Sequence, residues 1–256
     1  MEIALDQLIF YMCILVRITG FIYVAPFFSL KSVPQKVKIG LSILLAFMIY
    51  QLIPYEPLSY VGVIGFASLA LKEVIVGLIM GLFANICVQI LTFAGSLIDM
   101  EMGFSMVQEF DPISSNQVTI TSNLYQYAIL LMMLVMNLHH YIVKALVDSY
   151  QVIPVGKVFV HINIYQAMLD FIIDYFIIGF RIVLPMFAAM LIVNTVLAIL
   201  AKVAPQMNMF VIGLQLKVLV GLLVLLFMVI MIPTVTDFIF TNMMEMLKTA
   251  VTYLKG

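Results

Sequence analysis

Long apolar runs alternate with short polar breaks along this chain. The runs cover roughly residues 8–30, 39–53, 58–98, 118–147, 162–201 and 208–236, and a mixed segment follows at 238–253. Runs of this length, without strict alternation of apolar and polar positions, predict helices. A membrane barrel would instead show short alternating strands. The expected fold is all-α and membrane-associated, and a plain hydropathy count gives about six spans. The lengths fit that count poorly. A bilayer crossing needs about 20 residues at about 1.5 Å each. Run 39–53 offers 15 residues before Pro54, and Lys72-Glu73 divides run 58–98 into stretches of 14 and 25 residues. Only 74–98, 118–143, 182–201 and 218–236 come near full length without a strong charge.

Composition agrees with a membrane chain. Of the 256 residues, 65% are hydrophobic and 10% charged, where a soluble domain carries about a quarter charged residues. Mean hydropathy is +1.20. The net charge of -1 leaves no broad basic surface, which argues against a nucleic-acid partner. Cys13 and Cys87 lie far apart in apolar runs and read as small buried hydrophobes. The start, "MEIALDQLIF", carries Glu2 and Asp6 where a signal peptide would carry positive charge, and reads as mature sequence. Tryptophan is absent, so the 12 tyrosines must supply any interfacial anchors. The 20 methionines suit either gap-filling in a core or a deformable lining.

Charges inside the runs sharpen the picture. Arg17 and Lys217 would each cost about 2.5–3.5 kcal/mol at the centre of a lipid-exposed helix, so both should face protein or water. Glu73, Gly77, Gly81 and Asn85 recur every four residues and share one helix face, as do Gly213, Lys217 and Gly221. Such faces serve either packing within the chain or contact with a partner subunit. Lys217 should find a partner, for example a carboxylate elsewhere. Lys31, Lys36 and Lys38 form a basic cluster in the turn "LKSVPQKVK", which the positive-inside tendency places in the cytoplasm with the N-terminus on the far side.

Catalytic chemistry is not indicated. There is no nucleophile elbow, Walker loop, HExxH or dinucleotide fingerprint. Adjacent His139 and His140 point to different helix faces and lack further ligands, so no metal or other cofactor is expected. The best acid–base pairing on offer, either histidine with Asp148, is unconvincing, and Asp170 and Asp174 read as a solvated helix end. A small secondary transporter would use Arg17, Lys72-Glu73 and Lys217 as a polar path. It would also need matching broken helices in two halves, and no internal symmetry is evident.

One stretch stands apart: "EMGFSMVQEFDPISSNQVT", residues 101–119, with three carboxylates, one proline and no lysine or arginine. Gly103 permits a tight backbone path. Asp111-Pro112 breaks a helix, and Ser114, Ser115 and Asn116 suit a wet loop or a helix cap. Non-helical backbone at membrane depth is tolerated only where it is buried or lines an aqueous cavity.

Several stretches together resemble one family. They are "VRITGFIYVAPFFS", "VPQKVKIGLS", "KEVIVGLIMGL", "GSLIDMEMGFSMVQEFDP", "NQVTITSNLYQYAILLMMLVMNLHHYIVKALVDSYQVIPVG" and "LAILAKVAPQMNMFVIGLQLKVLVGL". In order and spacing they are similar to the R-subunit family of flagellar type III export gates, with the related T subunit of virulence injectisomes as the alternative. The resemblance spans nearly the whole chain. It implies a non-enzymatic channel component in the bacterial inner membrane at the flagellar basal body, passing unfolded export substrates. It further implies helical hairpins that pack with P and Q subunits into a closed helical cone raised largely out of the bilayer plane, unlike a six-span bundle. A B subunit would wrap the cytoplasmic entrance and an A subunit would lie beneath. Residues 1–153 would be P-like and 154–256 Q-like. The segment at about 104–118 would form a plug, with Phe104, Met106, Val107 and Phe110 sealing the lumen and Asp111, Pro112 and Asn116 shaping the turn. Glu109 and Asp111 make that plug more acidic than the family pattern implies. Glu73, Gly77, Gly81, Gly213, Lys217 and Gly221 would serve subunit packing.

Overall fold

The computed structural model describes residues 2–30, 32–104, 108–110, 117–159 and 164–255. Eight α-helices occur among them: α1 Glu2–Val24, α2 Gln35–Leu52, α3 Gly62–Met102, α4 Ile120–Val135, α5 Leu138–Val152, α6 Ile164–Val203, α7 Met209–Ile230 and α8 Ile232–Tyr253. Two short strands, β1 Gln108–Phe110 and β2 Gln117–Thr119, pair antiparallel. The all-α, membrane-associated expectation holds, with this strand pair as the exception to continuous helix.

Helix boundaries differ from the hydropathy runs in physically explicable ways. Helix α2 starts directly after Pro34, whose fixed φ and missing N–H suit a helix entry. It therefore takes in Lys36 and Lys38, which the sequence reading had placed in the preceding turn, and reaches 18 residues. Lys38 is buried, and its Nζ donates to the Ser29 carbonyl at 2.9 Å. Lys31 lies outside the described residues.

Lys72-Glu73 does not divide α3, which runs unbroken for 41 residues. Both residues are good helix formers, so charge interrupts the hydropathy without interrupting the helix. At about 1.5 Å per residue α3 is about 60 Å long, twice the usual hydrocarbon thickness of about 30 Å. Helix α6, with 40 residues, is nearly as long. The run 118–147 is broken instead. Asn137 takes the left-handed conformation at φ 56°, so α4 and α5 are separate helices. Asparagine is one of the few side chains that visits that region readily. Among the described residues, five helices are long and apolar enough to cross a membrane, or six if the α4–α5 pair counts as one.

The chain forms two compact units. One contains Met1–Cys87, Asn137–Ile172 and Phe240–Gly256; the other contains Val88–Met136 and Ile173–Ile239. Each is discontinuous in sequence, and α3, α6 and α8 contribute residues to both. The first unit is centred on α1 and the first part of α3, with Phe10, Ile14, Ile18, Met80 and Phe83 almost wholly buried. In the second unit Ile98, Met102, Val183 and Met186 are fully buried. Elsewhere large apolar side chains remain open, including Val61 at 92%, Ile64 at 86% and Phe210 at 80% exposure. Exposed apolar side chains on this scale suit surfaces covered by lipid or by other proteins.

Candidate functional site

The four-residue row on α3 is a zip to α1. Glu73 Oε2 accepts from Arg17 Nε at 2.6 Å, and neither side chain is exposed. A Cβ on Gly77 would overlap the carbonyl oxygen of Arg17. One on Gly81 would lie 2.9 Å from the Phe21 carbonyl oxygen, and Asn85 Nδ2 donates to the Val24 carbonyl at 2.9 Å. Reciprocally, a Cβ on Gly20 of α1 would meet the Val74 carbonyl oxygen at 3.1 Å. The glycines thus let the two backbones touch, as small-residue faces do. The structure sets Glu73, Gly77 and Gly81 against α1 of the same chain.

Further contacts complete the buried charge cluster. Glu73 Oε1 accepts from the Gly156 amide at 2.7 Å, and Arg17 Nη1 donates to the Ile153 carbonyl at 3.1 Å. The guanidinium lies 4.2 Å above the Tyr150 ring, whose hydroxyl donates to the Ile14 carbonyl at 3.2 Å. Gly156 sits at φ 82°, a conformation that costs other residues but not glycine. Arg17 and Glu73 therefore join α1, α3 and the turn after α5. Arg17 meets the expectation of facing protein.

The polar break at 101–119 is carried by the second unit. Helix α3 stops at Met102 because Gly103 turns to φ 84°, its amide donating to the Met100 carbonyl at 3.2 Å. Phe104 follows, half-buried. The strand pair then aligns Gln108 with Thr119, Glu109 with Val118 and Phe110 with Gln117. The backbone folds back on itself over this stretch, so the segment is a hairpin. Among the predicted plug residues, Met106, Val107, Asp111, Pro112 and Asn116 lie outside the described residues.

The foot of the hairpin is bolted to α3. Asp99, fully buried, accepts from the Thr121 amide at 2.7 Å and from the Thr121 hydroxyl. It thereby caps the N-terminus of α4 from another helix, satisfying a donor that would otherwise be orphaned and placing an acid at the positive end of the helix. Ser122 Oγ donates to the Thr92 carbonyl at 2.7 Å and so accepts from Thr119 Oγ1 at 2.9 Å. Gly95 makes this possible, since a Cβ there would lie 2.5 Å from Ser122 Cα. Sequence reasoning missed Asp99, Gly95, Thr121 and Ser122. The one signal available was a lone acid in the otherwise uncharged stretch 88–100.

On α7, the two glycines lie against neighbours of the same unit. A Cβ on Gly221 would come within 2.6 Å of Met102 Cε, at the hairpin's foot, and one on Gly213 would be 3.2 Å from Leu197 Cδ1. Lys217 between them is half-buried and has no ion-pair partner among the described residues, so the expected carboxylate is not found there.

Similarity to known proteins identifies the family. The family model for bacterial export proteins, family 1, matches residues 8–243. The flagellar biosynthetic protein FliR of Bacillus subtilis is 31% identical over 242 residues, covering 93% of each chain. FliR of Buchnera aphidicola from Schizaphis graminum is 32% identical over 217 residues, covering 85% of this chain and 84% of its own. FliR of Escherichia coli is 28% identical over 235 residues, 91% and 89% of the two chains. A match of this extent, together with relatives above 30% identity along nearly their whole length, means that the chain belongs to the FliR family of bacterial export proteins.

Proposed function

We propose that this chain is a non-enzymatic structural subunit of the flagellar protein-export apparatus, seated in the bacterial inner membrane at the basal body. The observation that carries this reading is the family match over residues 8–243, with relatives named as flagellar biosynthetic proteins. The chain would assemble with P and Q subunits into the export channel, with residues 1–153 P-like and 154–256 Q-like. B and A subunits would stand at the cytoplasmic entrance. The hairpin between α3 and α4 would act as the plug that unfolded substrates displace.

Three physical features support the assembly reading. Helices α3 and α6 exceed a single bilayer crossing about twofold. Large apolar side chains are exposed on several helices. Lys217, half-buried on an apolar helix, is suited to pair with a carboxylate supplied by another subunit. The hairpin reading draws support from its anchored foot, since a gate must be held firmly at its base while its tip moves.

Native mass spectrometry of the chain in mild detergent tests the proposal, with and without co-expressed P and Q subunits. A discrete complex containing one copy of this chain is expected. A solitary chain that captures neither partner would overturn it.

A further inference from the structure

A cleft of about 320 Å³ opens in the second unit, at the lower end of the roughly 300–1,000 Å³ typical of small-molecule sites. Its wall is built from Leu91 of α3, Tyr125 and Ile129 of α4, Pro185 of α6 and Met231 between α7 and α8. The lining is almost wholly apolar, and Arg181 of α6 supplies its charge. Arg181 is exposed and has no ion-pair partner among the described residues. Pro185 lacks the amide that would bond the Arg181 carbonyl. Tyr125 is buried, and its hydroxyl donates to the weak acceptor Met228 Sδ at 3.8 Å.

The position of Arg181 says what an occupant would be. Residues 182–201 carry no charge and end at Lys202. Twenty helical residues span about 30 Å, the thickness of the hydrocarbon layer. With that stretch in the bilayer, Arg181 stands at the level of the lipid headgroups and the apolar cleft runs alongside it. A cationic side chain at that level attracts an anionic lipid phosphate.

The geometry points to a binding site for an anionic phospholipid, its phosphate on Arg181 and an acyl chain in the cleft. A zwitterionic lipid carries its own cation beside the phosphate and would gain less from Arg181. This proposal does not depend on the export role and concerns the full chain on its own in the bilayer, before any other subunits raise it out of the membrane plane.

The test is a titration of the delipidated full chain in mild detergent with dioleoylphosphatidylglycerol and, in parallel, dioleoylphosphatidylcholine, read by native mass spectrometry. One phosphatidylglycerol should bind about tenfold more tightly than phosphatidylcholine, a difference of about 1.4 kcal/mol. Arg181→Gln should abolish the preference, and Arg181→Lys should keep most of it. Ile129→Trp should obstruct the cleft and weaken both lipids. A photo-crosslinker at Ile129 in membranes should label lipid. Equal affinities in the native chain, an undiminished preference in Arg181→Gln, or crosslinks only to protein would overturn the site; the last would give the cleft to a partner helix or a second copy. Arg181→Lys keeps the proposal open to refutation if Arg181→Gln fails to fold, because loss of the preference in a folded, still cationic variant would count against phosphate recognition by charge.

Discussion

Arg17 and Glu73 meet at 2.6 Å, with neither side chain exposed, and they can do so because Gly77 stands one turn further along α3. The residue that brings the charge and the residue that removes the steric barrier belong to the same face. Helix α1 is drawn onto α3 closely enough for its own backbone carbonyl to fill the place of a missing side chain. The pair is also a fixed point for the chain beyond α5, through the Gly156 amide and the Ile153 carbonyl.

Breaking one side of this pair should therefore be worse than removing both. Glu73→Leu leaves a guanidinium buried without its counter-charge, an effect on the order of 3–5 kcal/mol. The double variant Arg17→Met, Glu73→Leu leaves apolar groups of similar volume and should recover much of that loss. Thermal unfolding of the detergent-solubilised protein, arranged as a double-mutant cycle, measures the coupling. Additive losses would mean that the pair is not a unit.

The two glycine faces should respond unequally to alanine. Gly77→Ala must push α1 away, because the obstacle is a backbone carbonyl in mid-helix. Gly81→Ala meets a carbonyl oxygen at 2.9 Å and should also be severe. At Gly213 the nearest atom is the end of the Leu197 side chain at 3.2 Å, which can rotate away. The expected order of folded yield is Gly213→Ala well above Gly81→Ala, and Gly81→Ala above Gly77→Ala. Size-exclusion profiles of the purified variants check it. Gly213→Ala proving as damaging as Gly77→Ala would show that α7 contributes more to the fold than its side-chain neighbour implies.

The sequence spoke clearly where a chemical penalty forced the outcome. Arg17 had to face protein, and it does. The small residues at every fourth position of α3 had to face something close, and they face α1. The reading failed where hydropathy stood in for backbone geometry. Lys72-Glu73 lowers hydropathy yet favours helix, so α3 is continuous. Asn137 scarcely disturbs the apolar pattern, yet its left-handed backbone separates α4 from α5. Asp99 escaped notice because its partner, the start of α4, is 22 residues away, and a cap supplied by another helix leaves no local motif.

Asp99 should matter chiefly for the start of α4. Asp99→Ala leaves the Thr121 amide buried without an acceptor, a loss of about 1–3 kcal/mol by the cost of an unmet buried hydrogen bond. Asp99→Asn retains one acceptor and should fall between alanine and the native chain. Hydrogen–deuterium exchange of peptides covering 117–125 should accelerate in the order native, asparagine, alanine, while peptides from α1 remain unchanged. Uniform acceleration throughout the chain would assign Asp99 a global role instead of a local one.

The hairpin itself offers the sharpest test of gating. If its tip seals a lumen, deletion of 106–113 should remove the obstruction while Asp99, Thr121 and Ser122 continue to hold α3 and α4 together. Replacing 111–116 by Asn-Gly is gentler. It keeps β1 and β2 in register, because a two-residue Asn-Gly turn suits adjoining antiparallel strands. If the native chain assembles with P and Q subunits as proposed, both variants should assemble to the same extent. Ion leakage of the host membrane should rise with the full deletion and rise less with the shortened turn. Native-level leakage from a normally assembled deletion complex would sink the plug and leave the hairpin as a connector. Failure of the deletion alone to assemble would shift the decision to the Asn-Gly variant, whose intact strand pair preserves the hairpin's foot and isolates its tip.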